Sequence, residues 1–350
     1  MARVFVAMSG GVDSSVAAAL LVEQGHDVTG VTMQLWPSSD EEGGCCSIGA
    51  VRDAKRVCDL LDIPHYALNF RDSFERLVVA PYADDYASGR TPNPCIECND
   101  RLKFSYLLAK VMTQGAEALA TGHYARIVEG EAGSRLLARA IDRSKDQSYF
   151  LYRLTQAQLA HVLFPLGDHE KRDVRAMAER LGLHVHDKPE SQDVCFAPSG
   201  HAEVVRERRP DALVPGPILD LDGRVIGEHR GLGVYTVGQR HGLGLSGSAG
   251  PLYVVALDAE RNALVVGPRE ALAVHGIEAS NVVWHASALD VAVTVQTRYR
   301  MEPVSARAHV ENDLLLLNLD GPIFGVAPGQ AVVCYAQDLV LGGGTIERTR

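Results

Sequence analysis

The feature that most constrains the fold lies at the start of the chain. Residues 4–8 form an apolar run typical of a buried strand, and residues 16–24 have the composition of a helix that ends before Gly25. Between them stands the sequence Ser-Gly-Gly-Val-Asp-Ser-Ser at residues 9–15. A helix that begins after a glycine-rich turn presents unpaired backbone N–H groups and the positive end of its dipole. We therefore predict a strand, an anion-binding loop and a helix, in that order.

Strands and helices alternate over the first 125 residues. The apolar pattern predicts further strands at residues 27–35, 65–69 and 118–121, and further helices at residues 49–61, 102–114, 157–163 and 171–181. This alternation favours an α/β fold in which a parallel sheet carries helices on both faces.

The pattern changes near residue 210, where glycine and proline become frequent and helical periodicity fades. Short strands are predicted at residues 252–257, 263–266, 291–297, 306–310, 314–319 and 331–335. Regularly spaced short strands indicate two small, mostly β domains, the last a β-barrel. We place the domains at residues 1–205, 206–272 and 273–350, with the first boundary in the charged stretch at 206–210.

Composition excludes several classes of protein. The longest unbroken apolar run has seven residues, at 16–22, which is too short to cross a membrane. The first residues lack the pattern of a signal peptide, so we expect a cytoplasmic protein. The net charge of −10 argues against general coating of nucleic acid, although residues 135–145 form a local basic segment with four cations and one anion.

The loop at residues 9–15 differs from the commonest nucleotide-binding motifs. It lacks the Gly-Lys-Ser/Thr of kinases and GTPases, and it is not the G-x-G-x-x-G of dinucleotide-binding proteins. Its pattern resembles the PP-loop of the ATP pyrophosphatases, enzymes that split ATP between the α and β phosphates. The alternative is a helix with a serine cap and a glycine turn.

Two cysteine motifs form the second signal. Cys95 and Cys98 follow the sequence Thr-Pro-Asn-Pro at residues 91–94, and Cys195 follows Ser-Gln-Asp-Val at residues 191–194. One C-x-x-C without a second pair is weak support for a zinc site, which needs four ligands. The residues leave three interpretations open, namely thiol redox or sulfur transfer, a three-cysteine iron–sulfur site, and ordinary buried thiols. For the remaining cysteines we expect core positions; these are Cys45, Cys46, Cys58 and Cys334, with the adjacent pair Cys45-Cys46 as the first exception to consider.

The combined motifs resemble those of the bacterial tRNA-specific 2-thiouridylases over nearly the whole length. The motifs that carry the resemblance are the PP-loop, residues 91–99, Ala-Thr-Gly-His-Tyr at 120–124, Lys-Asp-Gln-Ser-Tyr at 145–149, residues 191–196, Tyr-Thr-Val-Gly-Gln-Arg at 235–240, Arg298-Tyr299 and Ala-Pro-Gly-Gln at 327–330. The resemblance implies an adenine nucleotide alpha hydrolase-like PP-loop domain followed by the two β domains.

The resemblance also implies a role for individual residues. Residues expected to bind ATP are Ala7, Met8, Ser9, Gly10, Gly11, Val12, Asp13, Ser14, Met33 and Gly122. Residues expected to contact tRNA are Asn93, Pro94 and Cys95 at the target base, and Lys145, Asp146, Gln147, Arg298 and Tyr299 elsewhere. Cys98 and Cys195 are the expected catalytic pair and form a transient disulfide. No residue is assigned to a resident metal ion.

The implied reaction adenylates the C2 oxygen of the wobble uridine and replaces that oxygen by sulfur. ATP and Mg²⁺ are the expected cofactors, and an iron–sulfur cluster on Cys95, Cys98 and Cys195 is an alternative to a persulfide on Cys195. The expected partners are the tRNA anticodon stem-loop and a sulfur-relay protein or cysteine desulfurase. Rival functions are another PP-loop enzyme, either a lysidine-type or a small-molecule amide ligase, and a non-catalytic adenine-nucleotide-binding protein. His123 and His241 are expected to be structural.

Overall fold

The computed structural model describes residues 1–36, 48–130, 133–189, 194–245 and 250–350. Cys45, Cys46 and residues 191–193 lie outside the described residues. The chain divides into two compact units, the first formed by residues 1–78, 95–196 and 338–340, and the second by residues 79–94, 197–337 and 341–350. A search of the described residues finds no helix long and apolar enough to cross a membrane.

The strands of the first unit form a parallel sheet and a hairpin. They are β1 (Arg3–Ala7), β2 (Asp27–Gln34), β3 (His65–Asn69), β4 (Ala118–Thr121), β5 (Ala125–Glu129), β6 (Arg135–Arg139) and β7 (Val162–Leu163). The sheet has the order β3-β2-β1-β4-β7, and every neighbouring pair is parallel. This confirms the predicted α/β fold. The antiparallel β5–β6 hairpin was not predicted, and Ala138 in it pairs with Leu339.

The helices at residues 12–23, 48–60 and 108–113 contact this sheet, and the apolar pattern predicted a helix at each of these places. The α-helices are α1 (Val12–Glu23), α2 (Ile48–Leu60), α3 (Arg71–Phe74), α4 (Ala80–Ala87), α5 (Pro94–Glu97), α6 (Leu108–Thr113), α7 (Gln156–Leu159), α8 (Lys171–Arg180) and α9 (His201–Arg208). α1 is buried over most of its length because it packs against β1, β2 and β4 and also against α8. Two stretches, Glu75–Val79 and Cys98–Leu107, have π-helical geometry.

The helix predicted at residues 157–163 is wrong in its second half. α7 ends at Leu159, and the next apolar residues form β7, which pairs with β4 at the edge of the sheet. A short apolar run fits a helix turn and a buried strand equally well, so periodicity cannot separate them. Residues 162–163 form a strand because β4 has a free edge with which they can pair.

The order of the sheet places a crevice beside β1. The chain passes from β1 to β2 on one side, whereas β4 pairs with β1 on the other side. In such sheets the loops at the carboxyl ends of the two strands diverge, and ligands bind between them. The loop at residues 8–11 leaves β1 at this edge, and Gly122 follows β4 there.

The second unit contains two β structures. Its strands are β8 (Gly216–Leu219), β9 (Val225–His229), β10 (Tyr253–Asp258), β11 (Ala263–Gly267), β12 (Ala273–Trp284), β13 (Asp290–Gln296), β14 (Val304–Glu311), β15 (Leu314–Phe324), β16 (Ala331–Ala336) and β17 (Leu339–Thr349), whose first two residues belong to the first unit. A small sheet has the order β10-β11-β8-β9. The strands β12-β15-β14-β13-β16-β17 close into a ring through the pairing of β12 with β17, which confirms the predicted barrel.

Several barrel and sheet strands escaped the sequence pattern because they contain glycine. β17 carries three consecutive glycines, and a Cβ on Gly342 would lie 2.1 Å from the backbone oxygen of Val283 in β12. The close approach of two backbones therefore requires glycine inside a strand. The barrel core is apolar, with Val295, Leu315 and Leu317 fully buried.

Candidate active site

The anion-binding loop is closed by its own serine side chains. The backbone N–H of Ser9 donates to Ser14 Oγ at 3.1 Å, and the two hydroxyl oxygens lie 3.2 Å apart. Ser15 Oγ donates to the backbone oxygen of Gly11 at 2.8 Å. Gly11 is the N-cap of α1 and offers no side chain to the first amides of the helix. Those N–H groups therefore face the crevice as donors for an anion.

Two glycines let other backbones approach this loop closely. Gly10 has φ +69°, and a Cβ there would lie 2.2 Å from the backbone oxygen of Ala50. A Cβ on Gly122 would lie 2.6 Å from the backbone nitrogen of Ser14. The loop thus approaches α2, and the residue after β4 approaches α1, because both positions lack a side chain. Of the remaining residues expected at ATP, Ala7 ends β1, Met8 and Val12 are buried beside the loop, and Met33 is buried in β2.

Asp13 in the first turn of α1 is held by two residues outside the motif. Lys171 Nζ, at the start of α8, lies 2.6 and 2.8 Å from the two carboxylate oxygens. The Tyr124 hydroxyl donates to Asp13 Oδ1 at 2.8 Å. Lys171 is only 8% exposed, so this cation is fixed beside the loop rather than solvated. Sequence analysis missed it, although a phosphate loop without its own lysine implied a cation from elsewhere.

A second lysine contacts the loop backbone. Lys188 Nζ donates to the backbone oxygen of Gly10 at 2.9 Å and lies 2.8 Å from Asp53 Oδ2 on α2. His184 Nε2 lies 3.2 Å from the other oxygen of Asp53. Burial by itself would raise the pKa of Asp53, but the hydrogen bonds from Lys188 and His184 outweigh it and lower the pKa below its usual value. This carboxylate is therefore ionised at neutral pH and anchors Lys188 against the loop.

Cys95 and Cys98 lie on one continuous helical stretch. α5 begins at Pro94, the π-helical stretch begins at Cys98, and α6 completes the run. Sequence analysis placed the start of this helix near Leu102, which is wrong. Proline is favoured in the first turn of a helix, where its missing N–H is not needed, so Pro94 initiates the helix rather than ending it. Cys95 is exposed and Cys98 is half-buried.

Charged side chains fix the turn that carries Cys98. Arg153 NH1 lies 2.5 Å from Glu97 and 3.4 Å from Asp100. The Asn99 side chain donates to the backbone oxygen of Phe150 at 3.2 Å. Burial is the main cause that raises the pKa of Asp100 above its usual value, although Arg153 opposes it. These contacts on both sides of Cys98 make its position a fixed one.

Cys195 is exposed and is followed by a buried anchor. The ring of Phe196 is 4% exposed and makes an edge-on contact with Phe74 at 5.5 Å between centroids. Trp36 lies 6.2 Å from the same ring. The other thiols differ: Cys58 and Cys334 are fully buried, and burial raises the pKa of both thiols, that of Cys58 to about 11. The prediction of core positions is thus confirmed for these two cysteines.

Known proteins match this chain over nearly its whole length. Residues 2–199 match the model of a tRNA methyl transferase HUP domain, residues 202–268 that of a tRNA methyl transferase PRC-barrel domain, and residues 274–346 that of an aminomethyltransferase β-barrel domain. A curated tRNA-specific 2-thiouridylase of Chloroflexus aurantiacus is 50% identical over 356 residues, covering 99% of both chains. One of Moorella thermoacetica is 51% identical over 352 residues, covering 98% of both chains. The chain belongs to the tRNA-specific 2-thiouridylase family.

Among solved structures, a 4-thiouridine synthetase–RNA complex with bound ATP matches more loosely. Its TM-score is 0.37 and its identity 18%, and the match covers 60% of this chain and 51% of that one.

Residues 145–147, which match a motif of the 2-thiouridylase family, are held by hydrogen bonds at the end of the β5–β6 hairpin. The Asp146 carboxylate accepts from the backbone N–H of Ala140 at 3.0 Å, and Arg139 pairs with it at 3.0 Å. Asp146 is 6% exposed, so it holds the segment from inside. The Gln147 side chain accepts from the backbone N–H of Tyr124 at 3.0 Å, beside the phosphate loop.

The basic segment at residues 135–145 carries less positive charge than its sequence indicates. Arg139 is paired with Asp146, and Arg143 forms an ion pair with Asp338. Arg135 NH1 donates to the backbone oxygen of Leu159 at 3.4 Å. The pairing of Arg143 with Asp338, which lies 195 positions further along the chain, could not be seen in the sequence.

Arg298 and Tyr299 lie in the turn between β13 and β14. Arg298 is exposed, Tyr299 is half-buried, and the guanidinium of Arg300 stacks over the Tyr299 ring at 5.0 Å. The Gln296 side chain donates to the backbone oxygen of Met301 at 2.5 Å and holds the turn. Arg300 adds an exposed cation that the motif did not indicate. Asn93 and Pro94 lie at the start of α5.

His123 is enclosed by aromatic rings. It lies about equally far from Phe104 and Phe164, at 5.9 and 6.0 Å, and its Nδ1 is 2.6 Å from Thr121 Oγ1. Burial is the main cause that holds the pKa of His123 well below its usual value. This imidazole is therefore neutral at physiological pH, as a structural histidine would be.

The described residues were also searched for metal ligands. No group of three or more histidine, cysteine, aspartate or glutamate side chains in them is arranged to hold a metal ion. The described residues thus give no support to the iron–sulfur cluster that was predicted as an alternative on Cys95, Cys98 and Cys195.

Proposed function

We propose that this chain is a tRNA-specific 2-thiouridylase, which uses ATP to replace the C2 oxygen of the wobble uridine by sulfur. The observation that carries the proposal is the phosphate loop at the switch point of the sheet, closed by Gly122, in a chain that is 50% identical over 99% of its length to a curated enzyme of that name. We expect it to act in the cytoplasm on the anticodon stem-loop.

The ATP phosphates are held by the loop at residues 9–14 and the first amides of α1. Ala7, Met8, Met33 and Gly122 surround the nucleotide at the ends of the three neighbouring strands. A triphosphate carries up to four negative charges, and the motif contains no cation of its own. Lys171 and Lys188 supply that positive charge from buried and half-buried positions beside the loop. Mg²⁺ bound to the phosphates adds further neutralisation.

Adenylation is an in-line displacement at the α phosphorus. The uridine must leave its stack, because its C2 oxygen is otherwise hard to reach. The C2 oxygen attacks the α phosphorus, the bond from that phosphorus to the bridging oxygen breaks, and pyrophosphate leaves with the electron pair. Lys171 is placed to stabilise charge on the phosphates when Asp13 releases it.

Sulfur transfer uses the two thiols in different roles. Cys195 carries a persulfide, whose terminal sulfur attacks C2 of the adenylated base. The Cys98 thiolate then attacks the Sγ of Cys195. The bond between that Sγ and the outer sulfur breaks, and the outer sulfur stays on C2 with the electron pair. AMP leaves, 2-thiouridine forms, and Cys98 and Cys195 are left as a disulfide that an external reductant must reduce. The exposed Cys195 suits a thiol that a donor protein loads, and the fixed Cys98 suits the resolving attack.

The tRNA contacts follow the family motif. Asn93, Pro94 and Cys95 face the target base, and Lys145 and Arg298 contact phosphates. Asp146 and Gln147 act by fixing the segment that presents Lys145, because their side chains bind Ala140, Arg139 and Tyr124. Tyr299 presents a ring stacked by Arg300. The three-domain division at residues 205 and 272 stays a prediction.

The test is nucleoside mass spectrometry after incubation of the protein with ATP, unmodified tRNA, a thiol reductant, and a cysteine desulfurase with cysteine as the source of persulfide sulfur. We expect 2-thiouridine together with one pyrophosphate for each adenylated tRNA. A small-molecule ligase would release pyrophosphate without changing the tRNA, and a non-catalytic nucleotide-binding protein would release none. A parallel assay loads the protein with a cysteine desulfurase and seeks a persulfide on Cys195. Iron bound after anaerobic purification and lost in Cys95→Ala would replace the persulfide scheme by a cluster.

A further inference from the structure

The segment that leads into the thiol-bearing helix is fastened to the end of the barrel. The backbone N–H of Thr91 donates to the backbone oxygen of Pro328 at 2.7 Å. The Gln330 side chain donates from Nε2 to the backbone oxygen of Thr91 at 3.0 Å. Both polar backbone groups of one residue are thus bound by one turn of the barrel. Thr91 is 8% exposed, so these bonds are shielded from water.

The barrel turn is shaped for this contact. Gly329 has φ +90°, and a Cβ there would lie 2.9 Å from the backbone nitrogen of Thr91. The turn is itself held to β17, because the Gly329 N–H donates to the Ile346 oxygen at 2.8 Å and the Ile346 N–H donates to the Gln330 oxygen at 2.8 Å. A residue with a side chain at this position would push Thr91 away.

An ion pair one residue upstream adds a second attachment. The Arg90 guanidinium forms two hydrogen bonds to Glu347, at 2.7 and 3.1 Å, and Ser280 Oγ donates to the same carboxylate at 2.6 Å. Burial would raise the pKa of Glu347, but these bonds lower it below its usual value, so the carboxylate is charged at neutral pH. Two-pronged arginine–carboxylate contacts fix geometry as well as charge.

We propose that Arg90, Gln330 and Glu347, which we call the barrel clamp, are positioning residues for the target base, because they fix the backbone from which Asn93 and Pro94 project. The proposal rests on the proposed function. Beyond Thr91 the chain continues as Pro92-Asn93-Pro94, and both prolines restrict the backbone. A stiff three-residue segment transmits a fixed position at Thr91 to the base-contacting residues. The clamp therefore acts on the reaction of bound tRNA rather than on its capture.

The test compares Gln330→Glu with Gln330→Lys. Glutamate has the shape of glutamine but turns an acceptor toward the Thr91 oxygen, whereas lysine restores a donor. Pyrophosphate release is measured at saturating ATP and tRNA, with tRNA affinity and melting temperature measured on the same samples. For Gln330→Glu we expect kcat to fall on the order of tenfold or more, because small misplacements of reacting groups are costly. The Kd for tRNA and the KM for ATP should stay within about twofold, a change worth less than ~0.5 kcal/mol. Gln330→Lys should recover most of the lost rate.

Trp284→Phe is the matched control. Trp284 Nε1 donates to the backbone oxygen of Ala288 at 3.0 Å within the same barrel, away from Thr91. Loss of this hydrogen bond in Trp284→Phe should lower the melting temperature without changing kcat. If Gln330→Glu does not fold, Glu347→Gln provides the second measurement, with a kcat loss expected at unchanged tRNA affinity. Wild-type kcat in the folded clamp variants, or an equal loss in Trp284→Phe, would overturn the proposal. Absence of 2-thiouridine with the wild-type protein would instead overturn the proposed function.

Discussion

Lys171 Nζ lies within 2.8 Å of both carboxylate oxygens of Asp13, although 158 residues separate the two in the chain. The pair joins the first turn of α1 to the first turn of α8 at the edge of the phosphate loop. The ammonium group of Lys171 is buried and held by a carboxylate of the loop itself. It therefore places a positive charge where the phosphates are expected to bind.

Replacement of Lys171 should therefore impair the chemistry of ATP. For Lys171→Met, which keeps much of the volume, we expect pyrophosphate release to fall about 10²- to 10³-fold, as when other electrostatic stabilisers are removed. Lys171→Arg should retain part of the rate. Steady-state pyrophosphate release measures both variants, and the exposed Lys110→Met is the control. A folded Lys171→Met protein with wild-type kcat would show that the lysine only balances Asp13.

Asp13→Asn is expected to abolish pyrophosphate release, and it is a better variant than Asp13→Ala. Asparagine keeps an amide oxygen that can accept from the mostly buried Lys171, whereas alanine leaves no acceptor at this position. The alanine variant should therefore lose about 1–3 kcal/mol of stability, less than for a fully buried pair because Asp13 is about one-third exposed. Urea unfolding checks this difference. Normal pyrophosphate release by either folded variant would remove the assignment of the phosphate loop.

Gly122→Ala tests the close approach of β4 to the loop. The added Cβ would lie 2.6 Å from the Ser14 nitrogen, so the first turn of α1 must shift. We expect ATP affinity to fall at least tenfold and stability to fall by about 1–3 kcal/mol. Calorimetric titration with ATP measures the first effect. Gly321→Ala is the control, because a Cβ there meets nothing within 4 Å; equal ATP affinity in the two variants would contradict the account.

The thiols should separate in their roles. Cys195→Ser should lose the protein-bound persulfide and all thiolation, whereas Cys98→Ser should accept sulfur on Cys195 and fail to turn over. Peptide mass spectrometry after loading with a cysteine desulfurase locates the persulfide. The control is Cys334→Ala rather than serine, because a serine hydroxyl in the barrel core would be buried without a partner and destabilise by about 1–3 kcal/mol. A persulfide on Cys98 would reverse the assignment.

Loss of Lys145 or Arg298 should flatten the salt dependence of tRNA binding. Each lost phosphate contact should reduce the slope of log K against log salt by roughly one unit or slightly less. Titrations at several salt concentrations measure it for Lys145→Ala and Arg298→Ala. Arg224→Ala is the control, since Arg224 is a highly exposed cation paired with Asp222 in the second unit. An unchanged slope in both test variants would mean that neither cation meets a phosphate.

Stability should depend on the charge of Asp53. Its pKa is lower in the folded protein than in the unfolded chain, so its ionised form stabilises the fold above the unfolded pKa of about 4, and this contribution disappears as pH falls through the folded pKa. At pH 7, Asp53→Asn should cost about 1–2 kcal/mol through weakened contacts with Lys188 and His184. The difference from wild type should shrink below about pH 4 in urea unfolding. If the difference in unfolding free energy between wild type and Asp53→Asn grew toward low pH, the pKa of Asp53 would be raised by folding rather than lowered.

Much of the fold could be predicted because its signals are local. Period-two and helical apolar patterns gave β1 to β4, α2 and α8 nearly in full, and the short strands gave most of the barrel. The start of the Cys98 helix was missed because Pro94 reads as a breaker unless it occupies the first helical turn. β17 was missed because it contains glycines, which are rare in strands. They are required because the backbone of β12 passes too close for a side chain, and the local sequence does not show that β12 is the neighbour.

The sequence by itself determined the phosphate loop and the two cysteine motifs, because each is written in a few adjacent residues, and the combination of such motifs along the chain determined the family. Only the tertiary structure decided which charges stand beside them. Lys171 and Lys188 reach the loop, Asp338 and Asp146 neutralise the basic segment, and Gln330 holds Thr91. These partners lie 7 to 239 positions apart. The energy of an ion pair or hydrogen bond depends on distance in space and on burial, and neither quantity is encoded in the local pattern of the chain.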